Sequence, residues 1–213
     1  MLVEAVDVNP YENEQLLNMP DGILRPGGFE LTKRLVRHAK LMSDARILDI
    51  GCGLGSSAAF LARVGFDVVG IDKSRSLIGQ GRKRFPKLCL IESSAEKMPF
   101  EDDSFDAALI ECSLSMMDVD VVLKNIMRIL RPHGQLLMSD VFFRTEDEFR
   151  FLLRRHGFEL VLFEDKTIVF EEFVAQLIMS TGSLDTLFDC GQWMEIKKAK
   201  PRYCLAIARK RIG

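Results

Sequence analysis

The sequence predicts an α/β fold, a doubly wound sheet of seven strands that is mostly parallel and has an antiparallel last strand. Three observations predict it. Short apolar runs alternate with helix-period segments from about residue 46 to residue 163. The runs are continuously apolar, as strands covered on both faces are. A turn carrying three glycines joins the first run to the helix after it, and glycine there lets a ligand approach the backbone without meeting a Cβ.

Residues 1–26 read as an irregular lead-in with Pro10, Pro20 and Pro26. A helix follows over 28–41, with Leu31, Leu35, Val36 and Ala39 on one side. Strand one is 46–50 and its helix about 56–64. Strand two is 67–72, with a helix at about 75–84. Strand three is 88–91. Strand four is 105–110, followed by a helix at about 119–130. The turn Arg131-Pro132-His133-Gly134 leads into strand five, 135–139. A helix at about 145–155 stops at Gly157 and precedes strand six, 158–163. Residues 167–198 carry two more helices, Val169 to Met179 and Leu184 to Lys197. The last strand, 203–208, is expected to lie antiparallel at the sheet edge.

The 213 residues suit one domain, and 47% hydrophobic residues suffice for its core. The net charge of −2 offers no basic field for nucleic acid. No run approaches the ~20 apolar residues that span a bilayer. The N-terminus is acidic and reads as no signal peptide. Five cysteines without a C-x-x-C pair read as reduced thiols, which places the protein in the cytoplasm.

The glycine turn is Asp49-Ile50-Gly51-Cys52-Gly53-Leu54-Gly55. Its spacing is G-x-G-x-G, and the third glycine of a dinucleotide fingerprint falls on Ser56. Asp49 would repel a pyrophosphate but not an ammonium or a sulfonium. Asp72 ends the second strand, where a carboxylate can accept both hydroxyls of a ribose. These three details fit S-adenosylmethionine better than NAD. Asp49 as a mere loop staple and Asp72 as a helix cap remain alternatives.

Four stretches together resemble the class I S-adenosylmethionine-dependent methyltransferases, over about residues 28–165 and the last strand. Leu48 to Gly55 is similar to the family's first motif, and Gly70-Ile71-Asp72-Lys73-Ser74 to its second. Ser94-Ala95-Glu96-Lys97-Met98-Pro99-Phe100 through Asp106 is similar to the adenine segment and fourth strand of the subgroup with quinone-biosynthesis and other small-molecule enzymes. Ile129 to Leu136 resembles the family's turn into strand five. The resemblance implies a Rossmann-like fold and methyl transfer to a small-molecule acceptor. Two positions depart from the pattern: Ser94 stands where relatives usually have Asp, and His133 replaces the usual glycine of the turn.

On that resemblance, backbone groups at Gly51, Gly53 and Gly55 hold the methionine end of the cofactor. Asp49 orients the loop and favours the ammonium, and Asp72 takes the ribose. Cys52 and Lys73 belong to the same cofactor-binding set. Ser94 and the Ala95 N–H read the adenine edge, and Glu111 and Cys112 lie beside the sulfonium. Arg25 is either a clamp for the cofactor carboxylate or a surface cation. The lead-in 1–26, the loop 140–144 and residues 167–198 form the lid over the acceptor, with Tyr11 and Trp193 as candidates to close it. Residues 167–198 could instead meet a second subunit, so the protein is a monomer or a homodimer.

No catalytic base stands out, and no metal is expected. His38, His133 and His156 read as structural. This suits an acceptor that is already nucleophilic. Two other readings stay open. One is a cofactor-binding protein without transferase activity. The other is a thiol or arsenite methyltransferase, because Glu111-Cys112-Ser113 and Ser139-Asp140-Val141 resemble segments of the arsenite enzymes. Cys89 and Cys204 read as core, leaving Cys112 and Cys190 as its thiol pair.

Overall fold

The computed structural model of the chain describes residues 25–142, 145–181 and 201–211. Its elements run α1 (Gly28–Ala39), β1 (Arg46–Ile50), α2 (Ser56–Arg63), β2 (Asp67–Asp72), α3 (Arg75–Arg84), β3 (Cys89–Glu92), β4 (Phe105–Glu111), α4 (Val119–Ile129), β5 (Leu130–Phe142), α5 (Glu146–Arg155), β6 (Phe158–Asp165), α6 (Thr167–Thr181) and β7 (Arg202–Lys210). Single 3₁₀ turns sit at Ala95–Lys97 and Leu114–Met116. The strand order is β3-β2-β1-β4-β5-β7-β6. Strands β1 to β5 pair in parallel, and β7 is antiparallel to both β5 and β6.

The last strand is not at the sheet edge, contrary to the expectation from sequence. It lies between β5 and β6. The physical reason is burial. Tyr203 to Ala208 are six consecutive buried residues, which need covered faces and a partner on each side. Strand β6 instead alternates, with Glu159 and Val161 exposed, and tolerates the edge. The loop expected at 140–144 is also corrected. Asp140, Val141 and Phe142 continue β5 and pair with Cys204, Tyr203 and Arg202. Residues 143–144 lie outside the described residues, as do Tyr11, Cys190, Trp193 and the expected helix 184–197.

Helix starts follow their capping residues. Ser74 caps α3 by accepting the Leu77 N–H, and Asp118 caps α4 through Val121. Thr145 and Glu148 form a reciprocal capping box at α5. The expected turn 131–134 is also corrected: β5 already begins at Leu130, and these residues form an irregularity between the pairs Leu130↔Phe105 and Gln135↔Ala107, where His133 takes a left-handed φ of 64 that glycine adopts without strain.

The sheet has two faces because side chains alternate along each strand. Leu48, Ile50, Ala108, Ile110, Leu136 and Met138 pack under α4 and α5. Ile47, Ala107, Leu109, Leu137, Leu205 and Ile207 pack under α1, α2 and α3, with Val169 and Phe170 of α6 against them. Cys204 is buried in the first core, as expected, but Cys89 is exposed because β3 is an edge strand.

Candidate functional site

The site forms at the carboxyl ends of β1, β2, β4, β5 and at Tyr203 of β7. The odd-numbered positions of β1, β4, β5 and β7 face α1 and α2. Following that face to the strand ends brings Asp49, Glu111, Ser139 and Tyr203 to one side of the sheet, and Glu111 pairs in register with Ser139.

The glycine loop leaves β1 with left-handed backbone at Gly51 (φ 68), Gly53 (φ 54) and Gly55 (φ 81). The three glycines serve different ends. A Cβ on Gly51 would lie 2.6 Å from the Ser113 Oγ, so the loop packs directly on the segment after β4. A Cβ on Gly53 would meet nothing within 4 Å, so the backbone is exposed to open space there. Gly55 is the N-cap of α2 and offers no capping side chain. The loop is tied down by Cys52 N–H donating to the Ile71 carbonyl (2.9 Å) and Gly53 N–H donating to Asp72 Oδ2 (2.9 Å). Asp72 Oδ1 accepts the Ser74 N–H at 2.8 Å. Asp72 therefore staples two loops, while Ser74 is the helix cap. Each Asp72 oxygen keeps a second acceptor position.

Asp49 is 3% exposed, and its Oδ2 has no hydrogen-bond partner among the described residues. Burial, followed by the nearby Glu111 charge, pushes its carboxyl up to about 7, against the opposing pull of Arg25. Ser56 Oγ beside it is also buried without a partner among the described residues.

Glu111 is the opposite case. Its Oε1 accepts from Thr32 Oγ1 (2.9 Å) and Ser139 Oγ (3.4 Å), and its Oε2 from Ser57 Oγ (2.8 Å). Arg25 Nε lies 3.4 Å from Oε2, and Arg25 Nη2 donates to Thr32 Oγ1 at 2.9 Å. The guanidinium stacks 5.3 Å from the Phe29 ring centroid. Arg25 is thus a buried cation of the site and not a surface one. Among the described residues, two acids and one arginine leave this buried cluster short of one positive charge whenever Asp49 is ionised.

Cys112 follows β4 with φ 51, a strained conformation for a non-glycine residue. Its Sγ is 3.1 Å from the Tyr203 hydroxyl. Burial, reinforced by Asp140, raises its pKa far above the ordinary thiol range, which favours the thiol over the thiolate. Cys52 is held protonated in the same way, by burial and then by Asp49. Tyr203 is fully buried and stacks on Phe170 of α6 at 5.9 Å.

At the other end of the site, Ser94 accepts the Glu96 N–H at 3.1 Å and donates to the Glu96 carboxylate. Glu96 was missed in the sequence. Its carboxylate accepts from Ser94 Oγ, and its pKa is lowered first by that hydrogen bond. Ala95 is buried in the same 3₁₀ turn, and Lys73 is exposed nearby. Thr32, Ser57, Ser139 and Tyr203 were also missed. Their only sequence signal is a polar group on an apolar stripe. The three histidines lie away from the site, with His156 Nε2 3.0 Å from Asp120. Among the described residues no three His, Cys, Asp or Glu side chains gather as a metal site, and no helix is long and apolar enough to cross a membrane.

The family model described as a methyltransferase domain matches residues 48–138. The uncharacterized methyltransferase YodH of Bacillus subtilis is 29% identical over 87% of this chain and 93% of its own length. A demethylmenaquinone methyltransferase of Streptomyces avermitilis is 35% identical over 68% of this chain and 67% of its own. The chain belongs to the class I S-adenosylmethionine-dependent methyltransferases. Its cofactor is S-adenosylmethionine. Several further relatives match this methyltransferase over only 40% to 53% of their length. The crystal structure of the [4+2]-cyclase SpnF is similar in fold, with a TM-score of 0.68 and 25% identity over 86% of this chain and 81% of that one. The residues present fit the cofactor on two counts: the open cradle at Gly53 and the orphaned, buried Asp49 oxygen beside it.

Proposed function

We propose that this methyltransferase acts on a small, already nucleophilic acceptor in the cytoplasm, and that its cofactor lies across the carboxyl ends of β1, β2 and β4. The observation that carries this reading is the buried acidic pair Asp49 and Glu111 at the mouth of the glycine loop, with Arg25 as its single cation among the described residues. S-adenosylmethionine supplies a methyl group on a positively charged sulfur.

The chain's own residues then have separable tasks. The backbone of Gly51, Cys52, Gly53 and Gly55 accommodates the amino-acid end. The net negative charge of Asp49, Glu111 and Arg25 favours a cationic occupant over a pyrophosphate. Arg25 can also meet the cofactor carboxylate through Nε, which has only the 3.4 Å ion-pair contact to Glu111 and no hydrogen bond among the described residues. Asp72, with Lys73 beside it, serves the ribose from its remaining acceptor positions. Ser94, Glu96 and the Ala95 N–H serve the adenine edge. Cys112 bounds the space beside Glu111. Holding the reactants in line is the enzyme's main contribution, worth ~7–11 kcal/mol in intramolecular models.

No histidine reaches the site among the described residues, which favours an acceptor needing no strong base. The raised pKa of the Cys112 thiol weighs against thiolate chemistry on arsenic or sulfur. Helix α6 supports a lid role for the segment that begins at residue 167. Phe170 covers Tyr203, and Val169 reaches within 3.2 Å of a Cβ on Gly27. The net charge of −2 supports a small acceptor over a nucleic acid.

Calorimetry and a transfer assay test the reading. The purified chain should bind S-adenosylmethionine and S-adenosylhomocysteine but not NAD, and should move labelled methyl into a small-molecule fraction of a metabolite extract. Binding without any transfer would instead favour a cofactor-binding role without transferase activity. Micromolar binding of NAD alone would overturn the reading.

A further inference from the structure

We propose that Thr32, in the middle of α1, is a positioning residue of the methyl-transfer site, acting by fixing Arg25 and Glu111 against each other. The inference rests on the reading that Arg25 and the acidic pair serve the cofactor's amino-acid end.

Thr32 is fully buried, and Leu31 and Leu35 flank it on the face that α1 turns to the sheet. Valine would pack there as well and would bury no hydroxyl. The hydroxyl is retained in a geometry that only an acceptor–donor can serve. It accepts from Arg25 Nη2 at 2.9 Å and donates to Glu111 Oε1 at 2.9 Å. The direction is forced, because a guanidinium only donates and a carboxylate only accepts. Arg25 and Glu111 otherwise meet only at 3.4 Å through Nε, a contact without hydrogen-bond geometry. Thr32 is therefore the group that turns a loose ion pair into a fixed one.

The fixed geometry has a consequence for the site. With Nη2 held by Thr32, the Arg25 Nε–H stays buried and without a hydrogen-bond partner among the described residues. That donor is left for a ligand carboxylate. Ser57 Oγ holds the other Glu111 oxygen from the first turn of α2, directly after the glycine loop. The network thus links α1, the glycine-loop helix and β4. Without Thr32, Arg25 gains alternative rotamers and Glu111 loses one of its donors.

The test compares Thr32→Val and Thr32→Ser. Thr32→Val keeps the shape and removes the hydroxyl. Its KM for S-adenosylmethionine and Kd for S-adenosylhomocysteine should rise about tenfold, with kcat changed less than threefold. Thr32→Ser should restore both to within about twofold of the parent, which a role in packing alone would not do. In an Arg25→Ala background, Thr32→Val should add little further loss, because it acts through Arg25. Wild-type affinity in Thr32→Val, equal impairment of the serine variant, or full additivity with Arg25→Ala would each overturn the inference. If the parent protein binds neither sulfur nucleoside, the cofactor reading itself fails and the inference with it.

Discussion

Two buried aspartates on opposite faces of the sheet make an instructive pair. Asp140 is 4% exposed and sits on the α4 and α5 side at the end of β5. Its four hydrogen bonds come from Ser113 N–H (2.8 Å), Leu114 N–H (2.7 Å), Ser115 Oγ (2.9 Å) and Val141 N–H (2.7 Å). Asp49 is as buried, sits on the α1 and α2 side at the end of β1, and has an oxygen without a partner among the described residues. Burial raises the pKa of both, and the donors around Asp140 oppose the rise. A fully satisfied buried carboxylate is scaffold. Asp140 holds the segment after β4, and Ser113 of that segment supports the glycine loop through the Ile50 carbonyl at 3.2 Å. The incompletely satisfied Asp49 is the one proposed to face the positive charge of the cofactor.

The comparison breaks first if Asp140 is expendable. Asp140→Asn turns an acceptor into a donor facing at least one N–H or O–H, and leaves buried donors unpaired. The expected loss is about 3 kcal/mol of stability, or roughly 6–12 °C in Tm for a domain of this size. Thermal denaturation that shifts by less than 2 °C would mean the staple is not structural.

Asp49→Asn should behave in the reverse way. Removing an uncompensated buried charge should leave the free protein's Tm unchanged or higher. Binding of S-adenosylmethionine at pH 8 should weaken about tenfold, which corresponds to ~1.4 kcal/mol. A stability loss as large as that of Asp140→Asn, with affinity retained, would show that both aspartates are scaffold.

The pH dependence sharpens the difference. The Asp49 carboxyl is raised to about 7, so the free protein holds a proton that the unfolded chain releases near 3.8. Its contribution to the free protein's stability is therefore lost as pH rises between those two values. A cation entering the site favours the ionised form. Affinity for S-adenosylmethionine should rise by up to about tenfold between pH 6 and pH 8, following the ionised fraction. Calorimetry in two buffers of different ionisation enthalpy should detect proton release on binding, and Asp49→Asn should abolish it. Proton uptake on binding would contradict the assignment.

The smallest effect is expected at Ser115→Ala, which removes one of the four donors to Asp140. It should cost about 1 kcal/mol of stability and leave cofactor affinity within twofold. A larger loss of affinity than of stability would place Ser115 in the ligand site.

Much of the frame was legible because it is encoded locally. The glycine loop, its strand and its helix are contiguous, and their backbone demands select the residue types directly. Ser74, Asp118 and the Thr145–Glu148 capping box are as local, with partners within three residues, but they were not read from the sequence, where Asp72 stood as the alternative cap of its helix. The place of β7 was misread, although its six consecutive apolar residues carry the signal for an interior strand, and the alternation in β6 carries that for an edge. The expected 140–144 loop failed for a similar reason: Asp140 looks like a turn residue until its four donors are seen.

The sequence by itself determined the α/β alternation, the cofactor class and the positions of Asp49, Asp72 and the three glycines, because each follows from chain-local chemistry. Only the tertiary structure decided that Thr32, Ser57 and Ser139 converge on Glu111 from 79, 54 and 28 residues away. It alone decided that Arg25 is locked into the site, and that of two similar buried aspartates one is satisfied and the other is not. Hydrogen-bond satisfaction is set by which groups the sheet and helices bring within 3 Å, and no spacing along the chain encodes that distance.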